Sequence, residues 1–218
     1  MWCGRLASGR WFSGVLIDQG WSPAFWLVVF QGSVLIRFLD VVLSAVALVV
    51  TLPLTLMLLL LGWWDTRSPL FLQERVGRHQ RPFTLVKFRT MRLDTASVAT
   101  HLADASAVTP FGRFLRRTKL DELPQLWNVL RGEMSLVGPR PCLPNQDELI
   151  AERQKRGVFE ARPGITGLAQ VNGIDMSDPA RLAEVDERMI RTLTLTDYFR
   201  YLLLTVTGKG GGDRVRSG

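Results

Sequence analysis

The stretch VVLSAVALVVTLPLTLMLLLLGWW, residues 41–64, lies between Asp40 and Asp65 and carries no charge. Nothing else in the chain restricts its fold as much. A helix at the surface of a water-soluble domain keeps a polar face, and this run has none. At about 1.5 Å per residue it is long enough to cross a hydrocarbon layer of roughly 30 Å. It starts too far from the N-terminus, and lacks a small-residue cleavage site, to be a simple signal peptide. The sequence predicts a membrane-associated protein.

Two topologies fit the run. One is a single transmembrane helix. The other is a helix-break-helix that enters and leaves by the same face. Hydropathy alone favours the first; Pro53 near the middle pulls toward the second, because it removes a backbone hydrogen bond and kinks a helix. Thr51 and Thr55 flank it and are placed to satisfy freed carbonyls. The flanking charge is nearly symmetric, with Arg5, Arg10 and Arg37 before the run and Arg67, Arg75 and Arg78 after it. The positive-inside rule therefore names no outer side. Trp63 and Trp64 end the run, where aromatic rings favour the interface. Residues 37–66 are read as this membrane element. Residues 1–36 are an N-terminal extension: Trp2, Trp11, Trp21 and Trp26 suit an interfacial segment, and a loose tail fits equally well.

The 218 residues suit one main domain, and the net charge of +7, with pI near 10.2, suits an anionic partner. Nucleic acid, an acidic membrane surface and a phosphorylated substrate all qualify. Cys3 and Cys142 stand apart, which argues against a disulfide framework. With only His79 and His101, a zinc site of His and Cys ligands is disfavoured.

From Ser68 the chain turns polar and basic, and residues 67–207 read as one soluble domain of α+β class, mainly helical. LFLQERVGRHQRPFTLVKFRTM predicts a β-hairpin about a Gly77 to Pro82 turn. Residues 94–110 read as loop with a possible short helix, and FGRFLRR as a basic helical turn. A helix follows Asp121 with Leu123, Leu126, Trp127 and Leu130 on one face. LPNQDELIAERQKRG predicts an amphipathic helix ending at Gly157. RPGITGLAQVNG reads as a Pro/Gly-punctuated loop, and DPARLAEVDERMIRTL as another helix. TDYFRYLLLTV predicts a helix with an apolar face on membrane or core. Residues 208–218 form a flexible tail.

The adjacent acids Asp121 and Glu122 are the chemical centre of interest. Pro124 is tolerated only in a first helical turn, so the helix is expected to begin near Asp121. The bland reading makes Asp121 a cap and Glu122 a complement to the helix dipole. Against it stand Arg113, Arg116, Arg117 and Lys119, which crowd the same end and suit a phosphate. An ionised carboxylate there can attack phosphorus, or hold Mg²⁺ against a diphosphate. Downstream, Arg140 in LVGPRP and Arg162 in RPG offer donors to phosphate, or simply sit in rigid turns.

Five stretches in order, RFLD with its Pro-broken apolar run, QERVG, KFRTM, DELPQLWNVLRGEMSLVGPRP and RPGITGLAQVNG, carry a resemblance. Together the chain resembles the bacterial polyprenyl-phosphate phosphoglycosyl transferases of the monotopic superfamily. The resemblance covers roughly residues 35–175. It implies transfer of a phosphosugar from a nucleoside diphosphate sugar, usually a UDP-sugar, to polyprenyl (undecaprenyl) phosphate, with UMP released. It implies the first step of O-antigen, capsule, exopolysaccharide or glycoprotein glycan assembly, at the cytoplasmic face of the bacterial inner membrane. It implies Mg²⁺, held by Asp121 and Glu122, and a re-entrant helix broken at Pro53. The nucleophile falls on Asp121, its partner on Glu122, and the phosphate-contacting Arg on Arg116. Arg140, Arg162, Lys87 and Arg89 join the expected phosphate-binding set.

The sequence departs from this resemblance at two places. Leu52 stands where the family often has Ser before the break proline. In DERM, Met189 stands where many relatives have Tyr, which bears on contacts near the C-terminus, sugar recognition among them. The first 35 residues exceed the smallest members, as an extra interfacial segment or an early-assigned start. Two other classes compete: a non-catalytic membrane adaptor, and a bitopic protein whose basic domain binds nucleic acid. The intact acid pair with Arg116 argues against the first. Against the second, Trp127 sits on the apolar face of its predicted helix and not among the basic residues, so no nucleic-acid partner is expected. Membrane lipid is an expected partner. A homodimer is compatible with the sequence, although no motif specifies one. The donor sugar stays open among hexose, N-acetylhexosamine and deoxyaminosugar.

Overall fold

The computed structural model describes residues 23–93 and 105–207, with side chains described in 34–93 and 106–207. The interfacial reading of Trp2, Trp11 and Trp21 and the tail from 208 lie outside these described parts. The helix that holds the apolar run starts at Pro23, so it takes in Trp26 and reaches back into the stretch read as a separate extension. Of the loop after Leu93, Ala105–Ala107 form a 3-10 turn. The chain divides into two units, Met1–Phe38 and Leu39–Gly218.

The long apolar stretch forms α1, Pro23–Thr66. Of the most apolar window in its Val34–Thr66 part only 11% is buried, so it is not a core helix. Val46, Val49, Val50, Leu52, Leu56 and Leu60 point their side chains outward. The expected break at Pro53 does not interrupt the helix, which continues on both sides of it. One missing N–H removes one bond from a ladder that is otherwise intact. The threonines do not repair it as expected. Thr51 Oγ1 donates to the Ala47 carbonyl at 2.6 Å, and Thr55 Oγ1 is buried without a hydrogen bond.

Two points of α1 hold the rest of the domain. Asp40 is 1% exposed, and its Oδ1 accepts from the Leu136 amide at 3.0 Å and the Tyr198 hydroxyl at 2.9 Å. Nearer the other end, Leu58 packs with Phe88 and Leu115, supported by Leu54, Leu59, Phe111, Leu120 and Leu123. Each such buried side chain contributes about 1.5–3 kcal/mol. Asp65 then accepts a bond from the Thr109 hydroxyl at 2.7 Å.

The predicted hairpin is present. β1 (Leu70–Val76) pairs antiparallel with β2 (Pro82–Phe88), with Leu72 opposite Val86 and Val76 opposite Pro82. α2 (Pro110–Thr118) starts with proline in its first turn after Thr109, whose hydroxyl accepts the Gly112 amide. α3 is Gln125–Arg131. Its buried face is Gln125, Leu126, Asn128 and Val129, while Trp127 is 53% exposed, which corrects the expected face. The cause is Asn128, whose side chain bonds the Val86 amide and the Thr84 carbonyl and turns the helix toward β2.

Two three-residue strands were not legible in the sequence. β3 (Ser135–Val137) pairs parallel with β4 (Gly164–Thr166). The stretch read as loop after Arg162 thus holds β4 and a short helix, α5 (Leu168–Val171). α4 (Asp147–Lys155), α6 (Pro179–Thr192) and α7 (Leu195–Val206) lie where expected. Gly157 follows α4 with φ +69, a conformation glycine adopts freely. A capping box of Thr194 and Asp197 starts α7. α7 buries Tyr198 and Tyr201 and exposes Leu195, Phe199, Leu203 and Val206 on another stripe. The described residues are mainly helical with two small two-stranded sheets, in agreement with the α+β expectation.

Candidate active site

The acid pair lies in a turn, not at a helix start. Lys119 ends α2 in the left-handed region at φ +57. Leu120–Glu122 then form one 3-10 turn, and α3 begins only at Gln125. Asp121 therefore caps no helix, which corrects the expectation. Pro124 has no N–H to continue an α ladder back to Leu120, so the amides of Glu122 and Leu123 bond three residues back instead. Leu120 and Leu123 on either side of the pair sit in the cluster built around Leu58 of α1. This pins the acids beside α1. Asp121 is 5% exposed, and a carboxylate removed from water to that degree needs compensating charge or donors.

Cations gather at the turn. Arg140 Nη1 stands 3.6 Å from Glu122 Oε1. Burial holds the Lys119 ammonium below its ordinary range; Glu122 and Asp121 pull it up, and Arg140 pushes it down. Lys119, Glu122, Arg140 and Asp121 thus share one electrostatic neighbourhood. Arg116 Nε donates to Thr90 Oγ1 at 2.9 Å, while its buried Nη1 makes no hydrogen bond among the described residues. A buried donor without an acceptor is costly, and a ligand oxygen would relieve it.

The other expected arginines have structural work of their own. Arg162 Nε donates to the Gly132 carbonyl at 3.0 Å. Arg89 donates to the carbonyls of Ser68 and Leu70 and lies over the Phe71 ring, with Lys87 Nζ 5.6 Å from that ring's centre. Lys87 and Arg89 belong to the hairpin and its junction with α1.

The GPRP and RPGITG loops lock together through their main chains. The Gly138 amide donates to Thr166 O, and the Gly164 amide to Pro139 O, both at 2.8 Å. A Cβ on Gly164 would lie 2.0 Å from the Gly138 nitrogen, and one on Gly138 would lie 2.4 Å from the Arg162 carbonyl. No side chain fits there, which is why both motifs carry glycine. Gly164→Ala should force the loops apart and cost at least about 3 kcal/mol, an overpacking effect beyond the usual range because only backbone can yield. A thermal melt of the detergent-solubilised variant checks this, with Gly173→Ala, where a Cβ meets nothing within 4 Å but φ is +69, as a milder control.

A sequence model described as "Bacterial sugar transferase" matches residues 31–209. The chain belongs to that family. It is 43% identical over 140 residues to "Uncharacterized sugar transferase EpsL" of Bacillus subtilis (strain 168), across 64% of this chain and 69% of that protein. It is 45% identical over 143 residues to the "UDP-glucose:undecaprenyl-phosphate glucose-1-phosphate transferase" of Caulobacter vibrioides, across 63% of this chain and 54% of that protein. With the "Undecaprenyl-phosphate galactose phosphotransferase" of Salmonella typhimurium it shares 34% over 186 residues, 78% of this chain and 39% of that protein. The chain thus matches from 39% to 69% of these relatives' own lengths.

Among the described residues no group of three or more His, Cys, Asp or Glu side chains could hold an ion. Asp121 and Glu122 are adjacent oxygen donors, the kind Mg²⁺ takes when substrate phosphates and water complete its shell. A cavity of about 590 Å³ lies by the C-terminal end of α1, lined by Asp65, Arg67, Arg92, Thr109 and Arg113 among others. Its three arginines make this cavity positively charged.

Sequence reasoning missed the residues that hold the site's frame. Thr90 orients Arg116. Arg75, counted from sequence among the flanking charges, is buried and donates to the Pro141 carbonyl at 3.0 Å. Arg153 and Asp186 form a buried ion pair at 2.7 Å between α4 and α6. In sequence these last two look like the polar faces of amphipathic helices, and only their packing separates them from solvent-facing charges.

Proposed function

We propose that this sugar transferase moves a phosphosugar from a nucleoside diphosphate sugar, a UDP-sugar, to polyprenyl (undecaprenyl) phosphate and releases UMP. The observation that carries the reading is the position of Asp121 and Glu122. They lie in a turn held against the membrane helix by Leu120 and Leu123, with Arg140 and Lys119 beside them and a buried Arg116 donor on the neighbouring helix. This supports a carboxylate nucleophile within reach of the phosphate of a membrane-embedded prenyl chain. The printed names of the Caulobacter and Salmonella relatives, which describe undecaprenyl-phosphate sugar phosphotransferases, agree with this acceptor.

In the proposed reaction an Asp121 carboxylate oxygen attacks the sugar-bearing phosphorus. The bond from that phosphorus to the UMP oxygen breaks, and UMP leaves with the electron pair. An oxygen of the polyprenyl phosphate then attacks the same phosphorus and displaces Asp121, giving the polyprenyl diphosphosugar. Arg116 and Arg140, with Arg162 as a further donor, neutralise charge on the transferring group. Lys87 and Arg89 complete the proposed phosphate-binding set from the hairpin, where Arg89 also donates to the Ser68 and Leu70 carbonyls. Mg²⁺ held by Asp121 and Glu122 would supply charge neutralisation on the diphosphate. The product begins a glycoconjugate.

We further infer that the membrane element is re-entrant, with the catalytic domain on the cytoplasmic face of the inner membrane. Asp40 bonds β3 and α7, while Leu58 and Asp65 hold β2 and α2. Both ends of the uncharged run are therefore fastened to one folded domain, an arrangement a bilayer-crossing helix with that domain on one side does not allow. The exposed stripe of α7 supports a domain that rests on the lipid surface. A cysteine placed at residue 8 should resist membrane-impermeant maleimide in intact cells and react after lysis. Labelling in intact cells would refute re-entry.

The reaction itself is tested with purified protein in nanodiscs, Mg²⁺, undecaprenyl phosphate and a panel of UDP-sugars. Lipid-dependent UMP release with one donor is the expected result and names the sugar. No release with any donor would overturn the UDP-sugar assignment.

A further inference from the structure

The segment that presents Arg140 is fastened at five consecutive residues. The Gly138 amide donates to Thr166 and the Pro139 carbonyl accepts from Gly164, both in β4. The next three carbonyls are each taken by a different donor. Arg153 Nη1 donates to the Arg140 carbonyl at 2.8 Å, Arg75 Nη1 to the Pro141 carbonyl at 3.0 Å, and the Val76 amide to the Cys142 carbonyl at 3.0 Å. Two of these donors are buried guanidinium groups, an expensive way to satisfy main-chain carbonyls that water or a backbone amide would satisfy more cheaply.

Each guanidinium is itself held from behind. Arg153, 2% exposed, gives Nε and Nη2 to Asp186 Oδ2 at 3.1 and 2.7 Å. Arg75 gives Nη2 to Gln73 Oε1 at 2.6 Å. The planar fork of arginine makes these contacts at fixed angles, which a lysine cannot reproduce. The chain of contacts runs from Asp186 on α6, through Arg153 on α4, to the Arg140 main chain, and from the Arg140 side chain to Glu122 at 3.6 Å.

We propose that Arg153, oriented by Asp186, and Arg75 are positioning residues for phosphosugar transfer: they fix the Arg140–Pro141 main chain so that the Arg140 guanidinium stands against Glu122. This gives the aspartate of the DERM stretch a function, linking a late helix to the acid pair without touching substrate. The inference rests on the reading that Arg140 and Glu122 belong to the active site.

The test is a double-mutant cycle in the full-length protein in nanodiscs, with kcat for UMP release and Tm measured for Arg140→Ala, Arg153→Lys and the double variant. Arg153→Lys keeps the positive charge facing Asp186 and loses the fork. A positioning role predicts a kcat loss of roughly tenfold to 100-fold in the single variant. It also predicts less than about a twofold further loss when Arg153→Lys is added to Arg140→Ala, with the Tm of each variant showing that it is folded at the assay temperature. Multiplying kcat losses would overturn the proposal, since Arg153 would then act independently of Arg140. Unchanged kcat in Arg153→Lys would overturn it as well. Full activity in Arg140→Ala would instead overturn the underlying placement of Arg140 in the site. If Arg153→Lys does not fold, Arg75→Lys enters the same cycle with the same expectations.

Discussion

Replacing Asp121 by Asn should lower sugar-phosphate transfer by roughly 10³-fold or more, while the protein stays membrane-bound and melts within a few degrees of the parent. The amide keeps the shape of the carboxyl but has no anionic oxygen to attack phosphorus. Asp121 lies in a 3-10 turn anchored by Leu120 and Leu123, and those leucines are untouched by the change. The measurement is single-turnover UMP release with excess enzyme, alongside a thermal melt. Glu122→Gln gives a useful contrast. It loses the partner of Arg140, so a smaller loss of activity with a raised KM is expected. Turnover by Asp121→Asn at the parent rate would remove the covalent step from the account.

The second large effect is expected far from the acid pair in sequence. Asp40→Ala strands two buried donors, the Leu136 amide and the Tyr198 hydroxyl, which bond the same carboxylate oxygen. Each unsatisfied donor costs about 1–3 kcal/mol, so a loss of about 3–5 kcal/mol follows, seen as a fall in Tm of roughly 10 °C. The Tyr198 hydroxyl stays a donor at every ordinary pH, because burial, with the Asp40 charge beside it, holds it well above the usual tyrosine range. Asp40→Asn keeps an acceptor oxygen and should recover most of the loss. Tyr198→Phe removes a single bond and should fall between parent and Asp40→Ala. If Asp40→Ala melts like the parent, the start of the membrane run is not fastened to β3 and α7 as described.

Much of this fold can be read from residue pattern. The β1–β2 hairpin follows from β-rich runs about Gly77, and α4, α6 and α7 from amphipathic spacing with their caps. The long apolar helix follows from an uncharged run alone. Patterns with fewer residues carry less. β3 and β4 have three residues each, too few for a period, and their existence depends on Gly138 and Gly164 meeting across the chain. The face of α3 was misjudged because apolar Trp127 turns outward while polar Asn128 turns inward to bond β2. The acids themselves were found from sequence, yet their setting was not: the helix they seemed to open starts at Gln125. Arg75, Arg153 and Asp186 stayed hidden because a buried charge looks in sequence like any surface charge. Only tertiary contact separates the two.

The central claim is that Asp121 carries the phosphosugar between donor and lipid. The most direct measurement is the intact mass of the protein after incubation with Mg²⁺ and its UDP-sugar in the absence of polyprenyl phosphate. The account predicts a rise equal to one phosphosugar, mapped to the peptide containing Asp121, absent in Asp121→Asn and discharged on adding the lipid phosphate. An unchanged mass in protein that still releases UMP when lipid is present would contradict it, and would point to direct transfer between the two substrates.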